Sequence, residues 1–213
     1  MEDFLKDTVS RYDKISEEYH KKYGYLPKSE IPYLRRFLEL IDKKKPKILD
    51  TGCGTGRDLS FLENFESELY GIDLSDGMLN IAKNNLTKTS LIKGDYRHIP
   101  FRENSFDGIL NIASLVHLPH NEKLNALAEF YRVLKPEGIL YISIQNLLHP
   151  DRFVRALKYA TPRGVLYDGR YWYFPTKYEM EFLVEKAGFE ILESGGMFDN
   201  RFRVYAKKIE FTV

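Results

Sequence analysis

The sequence predicts an α/β protein in which parallel strands alternate with helices that cover both faces of a sheet. First, short apolar runs and segments with apolar residues at helical spacing alternate through the middle of the chain. Second, the segment KILDTGCGTGRDL at residues 47–59 places Gly52, Gly54 and Gly56 directly behind an apolar run. A chain of 213 residues can bury the core of one such domain, so we expect a single domain over residues 1–213.

Each element of the predicted sheet rests on its own local pattern. Strands are predicted at residues 47–50, 68–73, 89–93, 106–112 and 138–144, and helices at residues 58–65, 76–85 and 122–134. A later helix at residues 177–187 is predicted to end at Gly188. Residues 189–192 and 202–206 are predicted to pair as a terminal antiparallel edge.

Two segments interrupt the alternation and are expected to serve the ligand rather than the sheet. In the first, apolar and aromatic residues fall on one helical face before a break at Gly24 and Pro27, and these residues are Val9, Tyr12, Ile15, Ser16 and Tyr19. The second segment, residues 147–175, is long for a connection inside a compact domain, so we interpret it as a functional insertion. The expected parts are an N-terminal helical segment (1–45), a core (46–146), an insertion (147–175) and a C-terminal helix with edge strands (176–213).

The composition excludes several classes of protein. Lys and Arg number 32 against 31 Asp and Glu, so there is no overall positive field to attract nucleic acid. Cys53 is the single cysteine, which excludes an internal disulfide and a multi-cysteine zinc site. No two histidines have metal-ligand spacing with a carboxylate, and we predict no metal. The acidic start MEDFLKDTVSRYDK lacks the features of a signal peptide, and no long apolar run occurs, so we expect a cytoplasmic protein with no membrane partner.

The glycine-rich turn and two acids predict a nucleoside ligand. The turn is expected to present free backbone N–H groups and a helix N-terminus to a cleft beyond the carboxyl end of its strand. Asp73 and Asp95 follow the next two strands, where carboxylates can accept bonds from ribose hydroxyls and an exocyclic amine. The glycines are evenly spaced by two, unlike the dinucleotide fingerprint, and no Gly-Lys-Ser/Thr follows them. An adenosine-like ligand fits this pattern.

Five motifs in order resemble those of class I S-adenosylmethionine-dependent methyltransferases. They are ILDTGCGTG, GIDLSDGMLNIAK, KGDYRHIPF, SFDGILNIASLVHL and YRVLKPEGILYISI, and their order and spacing match over residues 47–144. The later segment KYEMEFLVEKAGFEIL resembles the last helix and strand of the same domain. The resemblance implies a Rossmann-like, mostly parallel, seven-stranded sheet with an antiparallel terminal strand. It also implies S-adenosylmethionine as cofactor and S-adenosylhomocysteine as product.

The resemblance further implies roles for individual residues in holding that cofactor. Those implied for the methionine part are Asp50, Thr51, Gly52, Cys53, Gly54 and Gly56; those for the ribose and adenine are Asp73, Leu74, Met78, Asp95 and Tyr96; those beside the sulfonium are Asn111 and Ile112. The alternative for the glycines is an ordinary tight turn between strand and helix. For Asp73, the alternative is a helix N-cap shared with Ser75.

Two residues are candidates for chemistry beyond binding. Because the methyl group of a sulfonium is already electrophilic, alignment of an acceptor supplies much of the catalysis, and only some acceptors need a base. His117, in SLVHLPH after the fourth strand, is the candidate base, and its alternative is a hydrogen bond to loop backbone. A nucleophilic role for Cys53 is rejected, because no partner base is evident.

Acceptor specificity is expected from the two interrupting segments. YDKISEEYHKKYG resembles the lid helix of small-molecule methyltransferases, with Tyr12 and Tyr19 facing inward, although an aromatic stripe also suits simple packing. In GRYWYFPT, the residues Tyr171, Trp172 and Tyr173 form either an aromatic wall for the acceptor or a hydrophobic plug over the sheet edge.

Three functions are compatible with the sequence. The first is methyl transfer to a small molecule, for which Arg201 and Arg203, on one face of a strand, are candidates to hold an anionic acceptor; their alternative is a solvated edge. The second is methylation of a modified tRNA base, with a basic track formed by Arg152, Arg155, Lys158, Arg163, Arg170, Arg201, Arg203, Lys207 and Lys208. The third is a non-catalytic cofactor-binding protein. The sequence leaves the oligomeric state and the acceptor atom open.

Overall fold

The protein is built around two β-sheets, seen in a computed structural model that describes residues 3–145, 160–161, 164–196 and 201–210. The strands in chain order are β1 (Lys47–Thr51), β2 (Glu68–Asp73), β3 (Thr89–Lys93), β4 (Phe106–Ile112), β5 (Leu134–Gln145), β6 (Ala160–Thr161), β7 (Gly164–Tyr167), β8 (Arg170–Trp172), β9 (Phe189–Gly195) and β10 (Arg201–Lys208). Seven of them form the larger sheet in the order β3-β2-β1-β4-β5-β10-β9, and β6, β7 and β8 form the smaller one.

The larger sheet has the predicted Rossmann-like topology. β1 to β5 pair in parallel, whereas β10 runs antiparallel to both β5 and β9. This confirms the mixed seven-stranded sheet with one reversed strand. The reversed strand lies one position inside the edge, because β9 covers it. The carboxyl ends of β1, β2 and β4 therefore meet along one edge of the sheet, where ligands bind in open sheets of this type.

Helices cover both faces of this sheet. They are α1 (Asp3–Tyr23), α2 (Ile31–Ile41), α3 (Arg57–Leu62), α4 (Asp76–Asn85), α5 (His120–Val133) and α6 (Lys177–Lys186). One apolar cluster joins α5 and α6 to the sheet, and a second joins α2, α3 and α4 to the opposite face. None of the helices in the described ranges has the length and apolarity needed to cross a lipid bilayer.

Several element boundaries differ from the predicted ones, among them those of α3, α5 and β5. α3 ends at Leu62 rather than at residue 65, and its neighbour Glu63 accepts hydrogen bonds from the backbone of Thr87 and Lys88 instead. α5 begins at His120 and ends at Val133. β5 begins at Leu134, four residues early, because Leu134 already has an extended backbone and pairs with Phe106.

The described part of the insertion forms a small antiparallel sheet that the sequence analysis did not predict. β7 and β8 are joined by Asp168 and Gly169, both with positive φ (54° and 69°). A two-residue loop of this kind is typical of Asp-Gly hairpins, and that dipeptide was the overlooked signal. Residues 147–159 lie outside the described part of the chain.

The first helix crosses the start of α4 at very short range. A carboxylate oxygen of Asp13, on α1, accepts hydrogen bonds from the Ser75 hydroxyl at 2.6 Å and from the Gly77 N–H at 2.9 Å. A Cβ atom on Gly77 would lie 2.9 Å from the Asp13 Cα and carbonyl oxygen. Close docking of α1 therefore needs a glycine at this position of α4, even though glycine is a poor helix former.

Replacing Gly77 by alanine is expected to displace α1 from α4. The new methyl group meets backbone rather than a flexible side chain, and overpacking of this kind costs about 1–3 kcal/mol. We expect faster amide hydrogen exchange over α1 while the central strands keep their protection. Gly195→Ala is the matched control, because its Cβ would meet nothing within 4 Å. Equal exchange of α1 in both variants would contradict this account of its docking.

Candidate functional site

A cavity lies between α1 and the carboxyl edge of the larger sheet. With its open mouth it encloses about 890 Å³. Twelve of the residues predicted for the site line it, and these are Tyr12, Tyr19, Gly52, Cys53, Gly54, Asp73, Leu74, Met78, Tyr96, Ile112, His117 and Arg201. The strand order explains why they meet, since the glycine turn follows β1, Asp73 ends β2 and Ile112 ends β4. These twelve predicted residues thus share a single space.

The three glycines of the turn are required for three different reasons. All have positive φ, at 76°, 54° and 80°. A Cβ on Gly52 would lie 2.0 Å from the Ser114 hydroxyl oxygen, and one on Gly56 would lie 2.6 Å from Leu86. A Cβ on Gly54 would meet nothing within 4 Å. Gly54 is therefore the glycine whose bare backbone leaves room in the cavity for a ligand.

The backbone N–H groups of Gly52, Cys53 and Gly54 are not free, contrary to the sequence-based expectation for these positions. Gly52 and Cys53 donate to the carbonyl oxygen of Ile72, at 2.8 and 3.1 Å. Gly54 donates to the Asp73 carboxylate at 2.8 Å. The end of β2 thus satisfies these three donors.

Asp73 both holds the turn and faces the cavity. One carboxylate oxygen accepts from Gly54 and the other from the Ser75 N–H at 2.9 Å. Burial raises the pKa of Asp73. A carboxylate offers about four acceptor sites, so two hydrogen bonds leave capacity for ligand hydroxyls. The N-cap of α4 is Ser75, whose hydroxyl accepts from Met78, and Asp73 does not share this role.

Some predicted cofactor residues lie behind the cavity wall instead of lining it. The side-chain amide of Asn111 donates to the Thr51 carbonyl and hydroxyl oxygens at 3.0 Å, which fastens β4 to β1. The Asp95 carboxylate is occupied by the Arg97 guanidinium, with a shortest distance of 2.8 Å. The predicted residues outside the lining set are Asp50, Thr51, Gly56, Asp95, Asn111, Tyr171, Trp172 and Tyr173. A role in ligand binding for these residues remains a prediction.

Neither a nucleophilic thiol nor a metal centre is indicated by the described residues. Burial raises the pKa of Cys53 well above its usual value, with smaller effects of Asp73 and Asp50 in the same direction. The thiol is therefore protonated and acts as a small apolar group in the cavity wall. Across the described ranges, no three His, Cys, Asp or Glu side chains converge as metal ligands would.

His117 is a buried, neutral imidazole that links α1 to the small sheet. Its Nδ1 lies 2.7 Å from the Tyr171 carbonyl oxygen, which can only accept, so Nδ1 carries the hydrogen. Nε2 then accepts from the Tyr12 hydroxyl at 2.8 Å. Burial lowers the pKa of His117 to about 4, and the nearby Arg170 acts in the same direction. One nitrogen of His117 thus bonds to the backbone of β8, and the other faces the Tyr12 hydroxyl of α1.

Among the insertion residues predicted for the acceptor, Trp172 packs its ring against His117. The ring centroid of Trp172 lies 4.5 Å from that of His117, in an edge-on arrangement. The Tyr173 N–H donates to the Val116 carbonyl oxygen at 2.7 Å. These contacts place the small sheet against the turn that carries His117, and they fix the imidazole from the side opposite the cavity.

Nine lining residues were not predicted for the site. They are Leu5, Thr8, Val9, Tyr23, Thr55, Arg57, Asp58, Ala113 and Ser114. Arg57 directly follows the glycine turn and pairs with Asp58 at 2.9 Å, so its position in the sequence was a usable signal. Ala113 follows β4 with φ +57°, which is uncommon for a residue with a side chain. No sequence pattern announced that conformation.

Of the nine basic residues considered for a nucleic-acid track, five lie in the described part of the chain. Arg152, Arg155, Lys158 and Arg163 lie outside that part of the chain. The other basic side chains mostly have ion-pair partners, which are Asp168 for Arg170 at 3.0 Å, Glu30 for Arg203 at 2.8 Å and Glu137 for Lys207 at 3.1 Å. Arg201 is the member of the set that lines the cavity.

The site and fold agree with comparisons to known proteins. Residues 49–142 match the family model of a methyltransferase domain. The ubiquinone/menaquinone biosynthesis C-methyltransferase of Campylobacter jejuni is 31% identical over 188 residues, covering 75% of this chain and 77% of that protein. The chain therefore belongs to the class I S-adenosylmethionine-dependent methyltransferase family, as the motif order indicated.

Solved structures show the same architecture. A SAM-dependent methyltransferase of Thermotoga maritima superimposes with a TM-score of 0.69 at 20% identity, covering 94% of this chain and 99% of that one. A protein of Pyrococcus horikoshii gives a TM-score of 0.69 at 25% identity, covering 90% and 98%. Two further curated relatives are matched over only 51% and 59% of their length, so the chain spans little more than half of those proteins.

Burial of neutral His117 predicts a pH-dependent contribution to stability. Between about pH 4 and 6.5, His117 binds a proton in the unfolded chain but not in the folded chain. The free energy of unfolding therefore decreases as the pH falls through this window. Between pH 7 and pH 5, the free energy of unfolding of His117→Gln should fall by about 1–3 kcal/mol less than that of the wild type. Urea unfolding at the two pH values measures this difference. His98→Gln, at an exposed position, is the control. Parallel pH profiles for all three proteins would contradict the prediction.

Proposed function

We propose that the protein transfers the methyl group of S-adenosylmethionine to a small-molecule acceptor by in-line displacement. The observation that carries the proposal is a single cavity in which the bare backbone of Gly54, the carboxylate of Asp73 and the end of β4 at Ile112 lie together under α1. The cofactor fits only if the space beside the Gly54 backbone is open, and a Cβ placed there would meet no atom within 4 Å.

The lining residues match the parts of this cofactor. Gly54 would leave space for its amino-acid part, and Asp73 would accept from the ribose hydroxyls. Leu74 and Met78 supply apolar surface for the adenine. The bound cofactor supplies a methyl group that is already electrophilic, so the chain has to bind and orient the acceptor and keep water away.

The enclosure of the cavity supports a small acceptor. Tyr12 and Tyr19, on α1, are part of the cavity wall, and their rings meet edge-on with centroids 5.7 Å apart. The Campylobacter jejuni relative is named for quinone biosynthesis, which also favours a small-molecule acceptor for this chain.

We also propose that His117 and Tyr12 together take up a proton when the acceptor must lose one. The fixed tautomer leaves Nε2 of His117 as the acceptor of the Tyr12 hydroxyl hydrogen, and both residues line the cavity. With a pKa of about 4, His117 is in its basic form at neutral pH, although it binds a proton weakly. The pair therefore suits an acceptor whose own proton is acidic.

Replacing Gly54 by leucine is expected to abolish binding of S-adenosylmethionine. The new side chain would occupy open cavity that the ligand needs, whereas the fold has no atom within 4 Å to displace. Isothermal titration calorimetry measures the binding. Gly169→Leu controls for the positive φ, since its Cβ would make only ordinary contacts, at 3.6 Å and beyond. Unchanged affinity in the Gly54 variant would remove the basis of the cofactor assignment.

Methyl-labelled cofactor is expected to label small molecules when the protein is incubated with fractions of a cell extract. The metabolite and RNA fractions are tested separately, with the Gly54→Leu variant as the inactive control. Label in RNA alone would overturn the proposed acceptor class.

In the same assay Tyr12→Phe is expected to slow the transfer, by about 100-fold if proton uptake limits it. An unchanged rate would exclude the proton-accepting pair.

A further inference from the structure

Arg201 carries a positive charge into the cavity without a partner for all of its N–H groups. It begins β10, where its Cα pairs with that of Gln145 at the end of β5. It lines the cavity, and its Nη1 atom is buried with no hydrogen-bond partner among the described residues. A buried donor without a partner is costly, and the cost is larger for a charged group. Such a group is stable when a ligand supplies the missing acceptor.

The neighbouring arginine on the same strand has an acidic partner, although its Nε atom is also buried without a hydrogen-bond partner among the described residues. Arg203 donates to the Glu30 carboxylate at 2.8 Å, and its guanidinium carbon lies 3.8 Å from the ring centroid of Tyr33. It does not line the cavity. The two arginines lie on the same strand but have different surroundings. Arg201 is the one that lines the cavity.

Acids near Arg201 are already used by other cations. Arg57 takes the Asp58 carboxylate at 2.9 Å, and Arg203 takes Glu30. Burial and then repulsion by Arg57 lower the pKa of Arg201, which shows that the two guanidinium groups lie close together. This corner of the cavity therefore has an excess of positive charge in a region of low water content, which strengthens its attraction for an anion.

The position of Arg201 in the sheet separates it from the adenosine half of the site. In the order β2-β1-β4-β5-β10, three strand spacings lie between β1 and β10. At about 4.8 Å per spacing, β10 is roughly 14 Å from the strand that carries the glycine turn. Asp73, at the end of β2, lies farther still. Arg201 thus enters the cavity from the side of β5, beyond the end of β4.

We propose that the methyl acceptor carries an anionic group, a carboxylate or another oxyanion, which binds the Arg201 guanidinium. The inference rests on the proposed methyl transfer and names the class of its acceptor. A planar guanidinium can bind such a group through two parallel hydrogen bonds. The same chemistry could come from the carboxylate of the cofactor's own amino-acid part, and the experiment distinguishes these two sources.

The test combines labelling with binding measurements on Arg201→Gln, Arg201→Lys and the matched control Arg203→Gln. Metabolites labelled by the wild-type protein are separated on an anion-exchange column, and the label is expected in the retained, anionic compounds. With these compounds at limiting concentration, Arg201→Gln should lower the initial rate about 10- to 100-fold, because it removes charge-assisted hydrogen bonds. The initial rate of Arg201→Lys should lie between those of the wild type and Arg201→Gln, because lysine keeps the charge but cannot donate two parallel hydrogen bonds. The initial rate of Arg203→Gln should equal that of the wild type.

Calorimetry with S-adenosylhomocysteine and with 5′-methylthioadenosine, which lacks the amino-acid part, identifies the source of the anion. We expect Arg201→Gln to bind both as tightly as the wild type does. Weaker binding of S-adenosylhomocysteine alone would show that Arg201 holds the cofactor carboxylate, and would overturn the proposal. Label in neutral or cationic compounds would overturn it as well. Failure of the wild type to bind S-adenosylhomocysteine would instead refute the methyltransferase function on which the proposal rests.

Discussion

The site depends on the junction between the glycine turn and the end of β2. The Ile72 carbonyl accepts from Gly52 and Cys53, and the Asp73 carboxylate accepts from Gly54. These bonds satisfy buried donors that would otherwise cost about 1–3 kcal/mol each. They also hold Asp73 at a fixed place beside the turn. The floor of the cavity is therefore formed before any ligand arrives, which lowers the cost of ordering on binding.

The wall opposite this floor is held from two directions. At α4, Asp13 accepts from Gly77, and at the small sheet the Thr8 hydroxyl oxygen accepts from the Tyr171 N–H at 2.9 Å. The Tyr12 hydroxyl reaches His117 between these points. α1 thus joins the N-terminal segment and the insertion to the core. Displacement of α1 would therefore break contacts to both α4 and the small sheet.

The sequence predicted the sheet and the cavity because both depend on local patterns read in order. Apolar runs in the sequence indicated the positions of β1 to β5. Parallel strands end at one edge of the sheet, so the residues that follow them lie close together regardless of side-chain type. Side-chain partners were harder to predict. Asp95 was expected to face the ligand, yet Arg97, two residues later, takes its carboxylate. The free N–H groups expected in the turn are likewise satisfied by Ile72, which is 20 residues from Gly52 in the chain.

Opposite charges line the cavity at two strand ends, and this arrangement adds a constraint that residue identity alone does not give. Asp73 ends β2, and its carboxylate favours a cationic group nearby. Arg201 begins β10 and provides positive charge four strand positions away in the order β2-β1-β4-β5-β10. Opposite charges at the two ends of a partly enclosed space orient a ligand that is itself polar, since the reversed orientation would bring like charges together. The geometry of the sheet thus sets where a ligand lies, and the separation of charge sets its direction.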